Sequence, residues 1–374
     1  MLNNKTILGL MSGTSMDGLD ICVAKLSIDK KYNLNFNIIG SDVIEYKPNI
    51  KKKITSICSD FKSHEDSNYQ MGEIYLSIIK NHDLVLDNCF DGISIHGQTV
   101  LHIDSSISIQ LGHPKPLFDY FKTPIYFDFR KGDIEANGNG APLVPFLDFL
   151  LYKNSPIDIL TVNIGGISNI TLIPKNTNNR DSVIGFDVGP GMYLIDKFTK
   201  DFFSYKLDFN GKFSKNGKVD VDILRILKKC SFITKSPPKS IHTNYYDFLY
   251  KRVMSKKYHK VSNANKLRTL IYFTAYCIHK NIENFVKFRT KKVLIYLNGG
   301  GSNHPSLVSD LNNFFLKSDK NKFVFSKDSK VGSDIKESFL MCVLGFSKSE
   351  NLFSNMPNVT GSKKYLSLGE VYVK

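Results

Sequence analysis

The stretch ILGLMSGTSMDGLDICVAKL, residues 7–26, decides the fold of this chain. Apolar runs at residues 6–10 and 20–28 flank MSGTSMDG, a segment made almost entirely of small, hydroxyl and acidic residues. Two strand-forming runs joined by such a turn predict a β-hairpin. Glycine lets backbone amides approach an anion closely, so the turn suits a phosphate group. The two aspartates of the turn, Asp17 and Asp20, would repel an anion unless one of them faces a metal cation.

The same pattern recurs near residue 155, where IDILTVNIGGISNITLIP again predicts strand, small-residue turn and strand. Strands and helices alternate in both halves, which is typical of an α/β fold, and 374 residues are enough for two domains. We predict an N-terminal domain over residues 1–153 and a C-terminal domain over residues 154–345. Residues 346–374 are predicted to pack back on the N-terminal domain.

The net charge of +15 invites a nucleic-acid-binding function, but the composition argues against it. Only six of the 50 basic residues are arginine, the side chain that makes bidentate contacts with phosphates and bases. The lysines are spread along the chain in short runs such as residues 51–53. A solvated basic surface and no nucleic-acid partner are therefore predicted.

The sequence predicts a cytoplasmic protein without a membrane segment. It contains no run of about 18 apolar residues, and its first residues lack the apolar core and cleavage site of a secretory signal. The six cysteines are widely spaced and form no Cys-x-x-Cys pair, which favours reduced thiols over a zinc or redox site.

Four strand ends run into small-residue turns: MSGTSMDG, NIGGISN, DVGPG and NGGGSN. None matches the Walker A or the dinucleotide-binding pattern. A nucleotide would therefore bind differently, with phosphate-binding hairpins in two related domains and a later glycine turn against the base.

Longer motifs point to one family. LMSGTSMDGLD, HGQT, DFRKGDIEANGNGAPLVP, NIGGISNIT, GFDVGPG and NGGGSNHPSL together resemble the anhydro-N-acetylmuramic acid kinases, in the right order over nearly the whole chain. The resemblance implies a sugar kinase of the actin, hexokinase and heat-shock-ATPase superfamily, with two ribonuclease-H-like α/β domains flanking a nucleotide and substrate cleft. It also implies a homodimer.

The reaction that the resemblance implies has two coupled parts. Water opens the 1,6-anhydro ring of anhydro-N-acetylmuramate, and O6 is phosphorylated by Mg-ATP. The products are N-acetylmuramate 6-phosphate and ADP, and the process serves peptidoglycan recycling.

The resemblance also implies which residues act. Asp187 is the base that deprotonates the water, and Glu337 helps to hold that water. The residues alone predict a helix that starts at Ser333, a good N-cap, and has Glu337 in its second turn. They leave an alternative open for each residue: Asp187 caps a helix beginning near Gly191, and Glu337 is a solvated helix acid.

The nucleotide and metal sites implied by the resemblance lie in the glycine turns. Asp17 is predicted to face Mg²⁺, because Asp20 already belongs to the second strand. The first phosphate turn comprises Gly13, Thr14, Ser15, Met16, Asp17, Gly18, Leu19 and Asp20, the second Gly165, Gly166 and Ser168, and the adenosine turn Gly299, Gly300 and Gly301.

The predicted sugar contacts are His96, Gln98, Thr99, Asp128, Arg130 and Asp133. An arginine suits the carboxylate of the muramic lactyl group. Alternatively, Arg130 forms an ion pair with Asp128 or Asp133, and His96 is a core histidine with satisfied hydrogen bonds.

Three segments depart from the family pattern. The family's PPKSTGRE is PPKSIHTN here, at residues 237–244, GPGN is GPGM at residues 189–192, and GDP is GHP at residues 112–114. These changes leave open a kinase of another anhydro or amino sugar. A non-catalytic actin-like nucleotide-binding protein and a nucleic-acid-binding protein are further alternatives.

Overall fold

Strands and helices alternate along the chain, as predicted. The computed structural model describes residues 4–13, 16–59, 64–241, 243–319, 322–326 and 330–374. The strands are β1 (Lys5–Ser12), β2 (Gly18–Ile28), β3 (Leu34–Glu45), β4 (Gly92–Ile95), β5 (Gln98–Ile103), β6 (Ile107–Leu111), β7 (Ile125–Phe127), β8 (Asp158–Ile164), β9 (Ile167–Ile173), β10 (Ile184–Pro190), β11 (Val293–Asn298), β12 (Phe323–Ser326) and β13 (Glu370–Tyr372). The helices are α1 (Pro48–Ser59), α2 (His64–Ile79), α3 (Asp83–Leu86), α4 (Lys115–Phe121), α5 (Lys131–Glu135), α6 (Val144–Tyr152), α7 (Tyr193–Phe203), α8 (Val221–Leu227), α9 (Thr243–Val253), α10 (Asn263–Phe285), α11 (Pro305–Ser318), α12 (Lys336–Ser349) and α13 (Pro357–Thr360).

The chain forms two compact units. The first unit comprises Met1–Leu151 and Lys330–Lys374, and the second comprises Tyr152–Ser329. The boundary expected after residue 153 lies close to the observed one. The boundary expected after residue 345 does not, because α12 packs on β1, β2 and β4 and so belongs to the first unit.

The first unit is built on a six-stranded sheet with the order β13-β7-β4-β1-β2-β3. Strand β2 runs antiparallel to β1 and β3, whereas β1, β4 and β7 are mutually parallel, and β13 adds an antiparallel edge. The predicted opening hairpin is therefore confirmed. A sheet of order 3-2-1-4-5 with only its second strand reversed is the ribonuclease-H-like arrangement that was predicted.

The two faces of β1 pack against different helices. Leu8 and Leu10 are fully buried and contribute to a core with Met71 and Ile74 of α2. Gly9 lies on the opposite face, where a Cβ atom would be 2.8 Å from Cys342 Sγ of α12. Glycine at this position therefore allows α12 to lie directly on the sheet.

The second unit repeats this plan in a five-stranded sheet with the order β10-β9-β8-β11-β12. Strand β9 is antiparallel to β8 and β10, while β8, β11 and β12 are parallel. The long helix α10 buries an apolar face that includes Leu267, Leu270, Ile271 and Ile278 against this sheet. The recurrence of the hairpin pattern near residue 155 thus corresponds to a repeated sheet topology.

Helix α12 begins later than the sequence suggests. Ser333 was predicted as its N-cap, but the helix starts at Lys336, and Ser333 Oγ donates to the carboxylate of Asp334 at 2.9 Å. Glu337 consequently lies in the first turn, where a carboxylate interacts favourably with the helix dipole.

Candidate active site

The turn between β1 and β2 is stabilised by Gln98. Ser12 Oγ donates to Gln98 Oε1 at 2.5 Å, and Gln98 Nε2 donates to the carbonyl of Gly13 at 3.2 Å. Gln98 is completely buried. Its placement argues for support of the first phosphate turn and against direct contact with a sugar. Thr14 and Ser15, at the centre of that turn, lie outside the described residues.

The residues on either side of Thr14 and Ser15 can contact a ligand mainly through their backbone. Leu19 points into the core of the first unit and is fully buried, so it offers a ligand only its peptide groups. Gly18 approaches β3 so closely that a Cβ atom would lie 2.8 Å from the carbonyl of Ile44. Met16 adopts a left-handed φ of 53° and donates its N–H to the carbonyl of Gly13 at 3.2 Å.

The two aspartates of the turn have different surroundings. Asp17 is exposed and forms an ion pair with Lys51 at 2.5 Å. Asp20 lies near Glu337 of α12, and burial together with the charges of Glu337 and Asp334 raises the pKa of Asp20 to about 6. Burial also raises the pKa of Glu337, an effect that the charge of Arg130 opposes. The acidic pair of the first unit is therefore Asp20 with Glu337.

His96 and Arg130 form a hydrogen-bonded pair with a defined tautomer. His96 Nδ1 lies 2.9 Å from the carbonyl of Gly97, which can only accept, so Nδ1 carries the proton. Arg130 Nε then donates to His96 Nε2 at 3.1 Å, and Arg130 Nη1 donates to the carbonyl of Gly140 at 2.9 Å. Burial and the Arg130 charge lower the pKa of His96 to about 3, so this histidine is neutral at pH 7. It orients the guanidinium group.

A small polar cavity adjoins His96 in the first unit. Its volume is about 160 Å³, and Asp128 lines it together with side chains of α2 and β6. Asp128 has a left-handed φ of 55°, an uncommon conformation for a residue other than glycine, and burial raises its pKa. Thr99 is half-buried on β5, opposite Gln110.

Asp133 is a structural residue of the glycine-rich loop, although a sugar contact was predicted for it. It is 1% exposed, and its carboxylate accepts hydrogen bonds from the Gly140 N–H at 2.9 Å, Thr360 Oγ1 at 2.9 Å and Asn355 Nδ2 at 3.2 Å. These bonds connect the loop to residues near the C-terminus, and they occupy both carboxylate oxygens.

In the second unit, the turn between β8 and β9 is bonded to the turn that follows β10. The carbonyl of Gly165 accepts the N–H of Met192 at 2.7 Å, and the carbonyl of Gly166 accepts that of Gly191 at 3.0 Å. Ser168 is fully buried, and its hydroxyl donates to the carbonyl of Pro190 at 3.1 Å. Ser168 therefore bonds the start of β9 to the end of β10, beside the two turns. A Cβ atom at Gly166 would meet nothing within 4 Å.

Asp187 lies on β10 at a bulge in its pairing with β9. It is 9% exposed, and its Oδ2 accepts the N–H of Ile241 at 3.0 Å. Helix α7 starts at Tyr193 with Met192 in the N-cap position, so the alternative that Asp187 caps this helix is wrong.

The predicted adenosine turn follows β11. Gly299 has a φ of 77°, and a Cβ atom there would lie 2.7 Å from Asn163 Oδ1 and 2.8 Å from the carbonyl of Ile164. A Cβ atom at Gly301 would meet the side chain of Ile164, while one at Gly300 would meet nothing within 4 Å. The turn thus packs on the end of β8 and leaves Gly300 accessible to a ligand.

The sequence analysis missed Lys239 and Asn281, which are buried close to Asp187 in the second unit. Lys239 Nζ donates to Asn281 Oδ1 at 2.5 Å, and the carbonyl of Lys239 accepts the N–H of Asp187 at 3.2 Å. The only signal was a lysine after two prolines, which nothing in a lysine-rich sequence distinguishes from a surface lysine.

Comparisons with known proteins agree with the predicted resemblance. A model of the family "Anhydro-N-acetylmuramic acid kinase" matches residues 5–374. Curated anhydro-N-acetylmuramic acid kinases are similar to this chain over 98% or more of its length. The protein of Clostridioides difficile strain 630 is 33% identical over 98% of each chain, and that of Francisella tularensis subsp. novicida strain U112 is 31% identical over 99% of each.

Among solved structures, the chain is similar to the activator of the 2-hydroxyisocaproyl-CoA dehydratase from Clostridium difficile. The identity is 8%, the coverage 92% of this chain and 96% of the other, and the TM-score 0.43. The fold assignment therefore rests on the strand order of the two sheets, and the family assignment on the sequence matches. This chain belongs to the anhydro-N-acetylmuramic acid kinase family and is, as predicted, a sugar kinase.

Proposed function

We propose that the protein converts 1,6-anhydro-N-acetylmuramate, water and ATP into N-acetylmuramate 6-phosphate and ADP. The observation that carries this proposal is the family match over residues 5–374, which includes every segment of the candidate site. Two departures from the family pattern, Met192 and Ile241, make their described site contacts through backbone N–H groups. For example, Ile241 contacts Asp187 through its backbone N–H, which any residue except proline provides.

Asp187 is the proposed general base. Its carboxylate takes a proton from water while the water oxygen bonds to the anomeric carbon. The bond between that carbon and O6 breaks, O6 keeps the electron pair and attacks the γ-phosphorus, and ADP leaves with the electrons of the β–γ bridging bond. Glu337 is proposed to accept a hydrogen bond from the attacking water. General-base catalysis of this kind contributes about 10²–10⁴-fold to the rate.

The backbone of the glycine turns is proposed to bind the nucleotide. Residues 13–18 of the first unit and Gly165 and Gly166 of the second are proposed to donate N–H groups to phosphate oxygens. Gly300 is proposed to approach the adenosine, because its position is open whereas Gly299 and Gly301 pack against β8.

Asp20 is the proposed magnesium residue, in place of Asp17. The described residues include no group of three or more His, Cys, Asp or Glu side chains suited to a metal. Mg²⁺ is usually held by only one or two carboxylates together with substrate phosphates and water, so the Asp20–Glu337 pair fits it. A bound Mg²⁺ would neutralise phosphate charge. Asp17, by contrast, is paired with Lys51 on the surface.

The sugar is proposed to contact Arg130, Asp128 and Thr99. The guanidinium of Arg130, oriented by His96, would bind the lactyl carboxylate. The ionised carboxylate of Asp128 would repel the lactyl carboxylate, so Asp128 is better suited to a sugar hydroxyl or amide N–H. Gln98 and Asp133 would support the site without touching the sugar.

We further propose a cytoplasmic location, where ATP is available, a role in peptidoglycan recycling, and a homodimer. No described helix is both long and apolar enough to cross a bilayer. The homodimer can be tested by sedimentation equilibrium.

An isotope experiment tests the proposed reaction. The protein is incubated with Mg-ATP and 1,6-anhydro-N-acetylmuramate in ¹⁸O-water, and the product is analysed by mass spectrometry. A 6-phosphorylated product labelled at the anomeric oxygen is expected. Unlabelled phosphorylated product would contradict the coupled hydrolysis.

A parallel assay uses 1,6-anhydro-N-acetylglucosamine, which lacks the lactyl group. Equal kcat/KM for the two sugars would contradict the role of Arg130 and favour a kinase of another anhydro sugar.

A further inference from the structure

The side chain of Lys239 is buried inside the second unit. The residue is 2% exposed, and its ammonium group donates to the carbonyls of Phe232 at 3.0 Å and Lys235 at 2.7 Å and to Asn281 Oδ1 at 2.5 Å. The rings of Phe232 and Phe285 lie 4.6 and 4.5 Å from Nζ. Three acceptors and the aromatic faces offset part of the loss of hydration, although burial still lowers the pKa of Lys239 to about 8. The ammonium therefore holds the surrounding backbone from inside the unit.

The segment attached by this ammonium also contacts Asp187. The carbonyl of Lys239 accepts the Asp187 N–H at 3.2 Å, and the Ile241 N–H donates to Asp187 Oδ2 at 3.0 Å. Asn281 contributes a further bond, because its Nδ2 donates to the carbonyl of Val188 at 2.8 Å. Lys239 and Asn281 thus bond to the backbone on both sides of Asp187, and the segment that begins at Lys239 reaches its carboxylate.

We propose that Lys239 is a positioning residue for the reaction: its buried ammonium fixes residues 239–241 so that the Ile241 N–H orients the Asp187 carboxylate. This inference rests on the proposed function in so far as Asp187 is the base. A misplacement of about 1 Å in a reacting group can cost 10²-fold in rate, so a contact that does not touch the substrate can still control kcat.

The same geometry explains why this loop tolerates an altered sequence. The changed residues begin at Ile241, after Lys239, and the bond from residue 241 to Asp187 comes from the backbone. The lysine and the backbone N–H of residue 241 are therefore what the proposed orientation of the base requires.

The first test compares two lysines of the same segment. Lys239→Met removes the buried ammonium, and Lys235→Met, the matched control, removes an exposed one. We expect kcat to fall about 10–100-fold in Lys239→Met, with the KM for ATP within about twofold of the wild type. Lys235→Met should retain wild-type kinetics. Wild-type kcat in folded Lys239→Met would overturn the proposal.

The pH profile separates positioning from a general loss of stability. A hydrogen bond from an N–H group favours the ionised carboxylate, so its loss should move the acidic limb of the kcat profile to higher pH. Among the described residues, the charges of Lys239 and Tyr246 interact with Asp187. Burial raises the pKa of the Tyr246 hydroxyl beyond this range and lowers the pKa of Lys239 to about 8, so neither group titrates in the acidic limb. An unchanged acidic limb in Lys239→Met would contradict the proposal.

A second variant acts on the proposed contact alone. Ile241→Pro removes the N–H donor and keeps the ammonium, so it should reproduce both the fall in kcat and the shift of the acidic limb. It also decides the matter if Lys239→Met does not fold. Wild-type kcat in Ile241→Pro would overturn the proposed role of the N–H group.

Hydrogen–deuterium exchange distinguishes failure of this inference from failure of the proposed function. The peptide containing residues 239–241 should exchange faster in Lys239→Met than in the wild type or in Lys235→Met, whether or not the anhydro sugar is turned over. Unchanged exchange would overturn the positioning role. If exchange changes as expected but the wild type does not act on the sugar, only the proposed function fails.

Discussion

At the scale of single residues, Asp187 is the position on which the proposed chemistry depends. Asp187→Asn keeps the size of the side chain and an acceptor for the Ile241 N–H but removes the basic carboxylate. We expect kcat to fall by about 10²–10⁴-fold or more, with ATP affinity little changed in isothermal titration calorimetry. Turnover near the wild-type rate in this variant would refute the assignment of the base.

Asp20 should reduce stability at neutral pH. Its pKa is raised to about 6, so the folded state binds this proton more tightly than the unfolded state does. The resulting stabilisation is complete below the unfolded pKa, near 4, and is lost as pH rises through about 6. Asp20→Asn should therefore raise Tm at pH 7.5 in EDTA and change it little at pH 4. The same change in Tm at both pH values would contradict this pairing of Asp20 with Glu337.

The sequence singles out candidate site residues but not which of them are buried within the fold. A hairpin turn is a local pattern, so the sequence marks residues 13–20 without structural information. It cannot show that Asp20 lies close to Glu337, because that proximity depends on α12 packing against β1 and β2. For the same reason the sequence could not show that Asp17 pairs with Lys51 or that the Asp133 carboxylate is bonded within the fold.

At the scale of elements, both hairpins and the alternation of strands and helices were predicted because their signals are local. The start and the unit of α12 both differ from what the sequence suggests. Its start is displaced because Ser333 bonds to Asp334, and it belongs to the first unit, although it follows the second in sequence. Proximity along the sequence does not show to which unit an element belongs when one unit is built from two separate segments.

The packing of α12 on β1 gives a test of element-level stability. In Gly9→Ala the added methyl would meet the carbonyl of Ser338 and Cys342 Sγ and push α12 away from the sheet. Overpacking of this kind costs about 1–3 kcal/mol, so Tm should fall measurably.

Gly132→Ala is the matched control. It lies inside helix α5, where a Cβ atom would have no neighbour within 4 Å and alanine favours the helix. Calorimetry should show a lower Tm for Gly9→Ala and an equal or higher one for Gly132→Ala. Equal stability of the two variants would contradict the described packing.

At the scale of the whole molecule, the second unit is one continuous segment between the two parts of the first. The junctions are adjacent, since Lys330 Nζ donates to the carbonyl of Leu151 at 2.6 Å. We expect residues 152–329, expressed alone, to unfold cooperatively, because they contain a complete sheet and core. Residues 1–151 expressed alone should not unfold cooperatively, because they do not include α12, the helix that packs on β1, β2 and β4.

A fusion of residues 1–151 to residues 330–374 through a short glycine-serine linker should restore cooperative unfolding of the first unit. Near-ultraviolet circular dichroism and thermal denaturation measure all three proteins. Cooperative unfolding of residues 1–151 alone would contradict the role of α12.

The divided first unit also sets the order in which the protein can fold during translation. Residues 1–151 leave the ribosome first, but the face of their sheet that α12 covers stays open until residues 336–349 have been made. The second unit, although later in the chain, can complete its core earlier. The nascent chain therefore carries an unfinished apolar sheet through the synthesis of about half the protein, and chaperones that bind exposed strands would act during this interval.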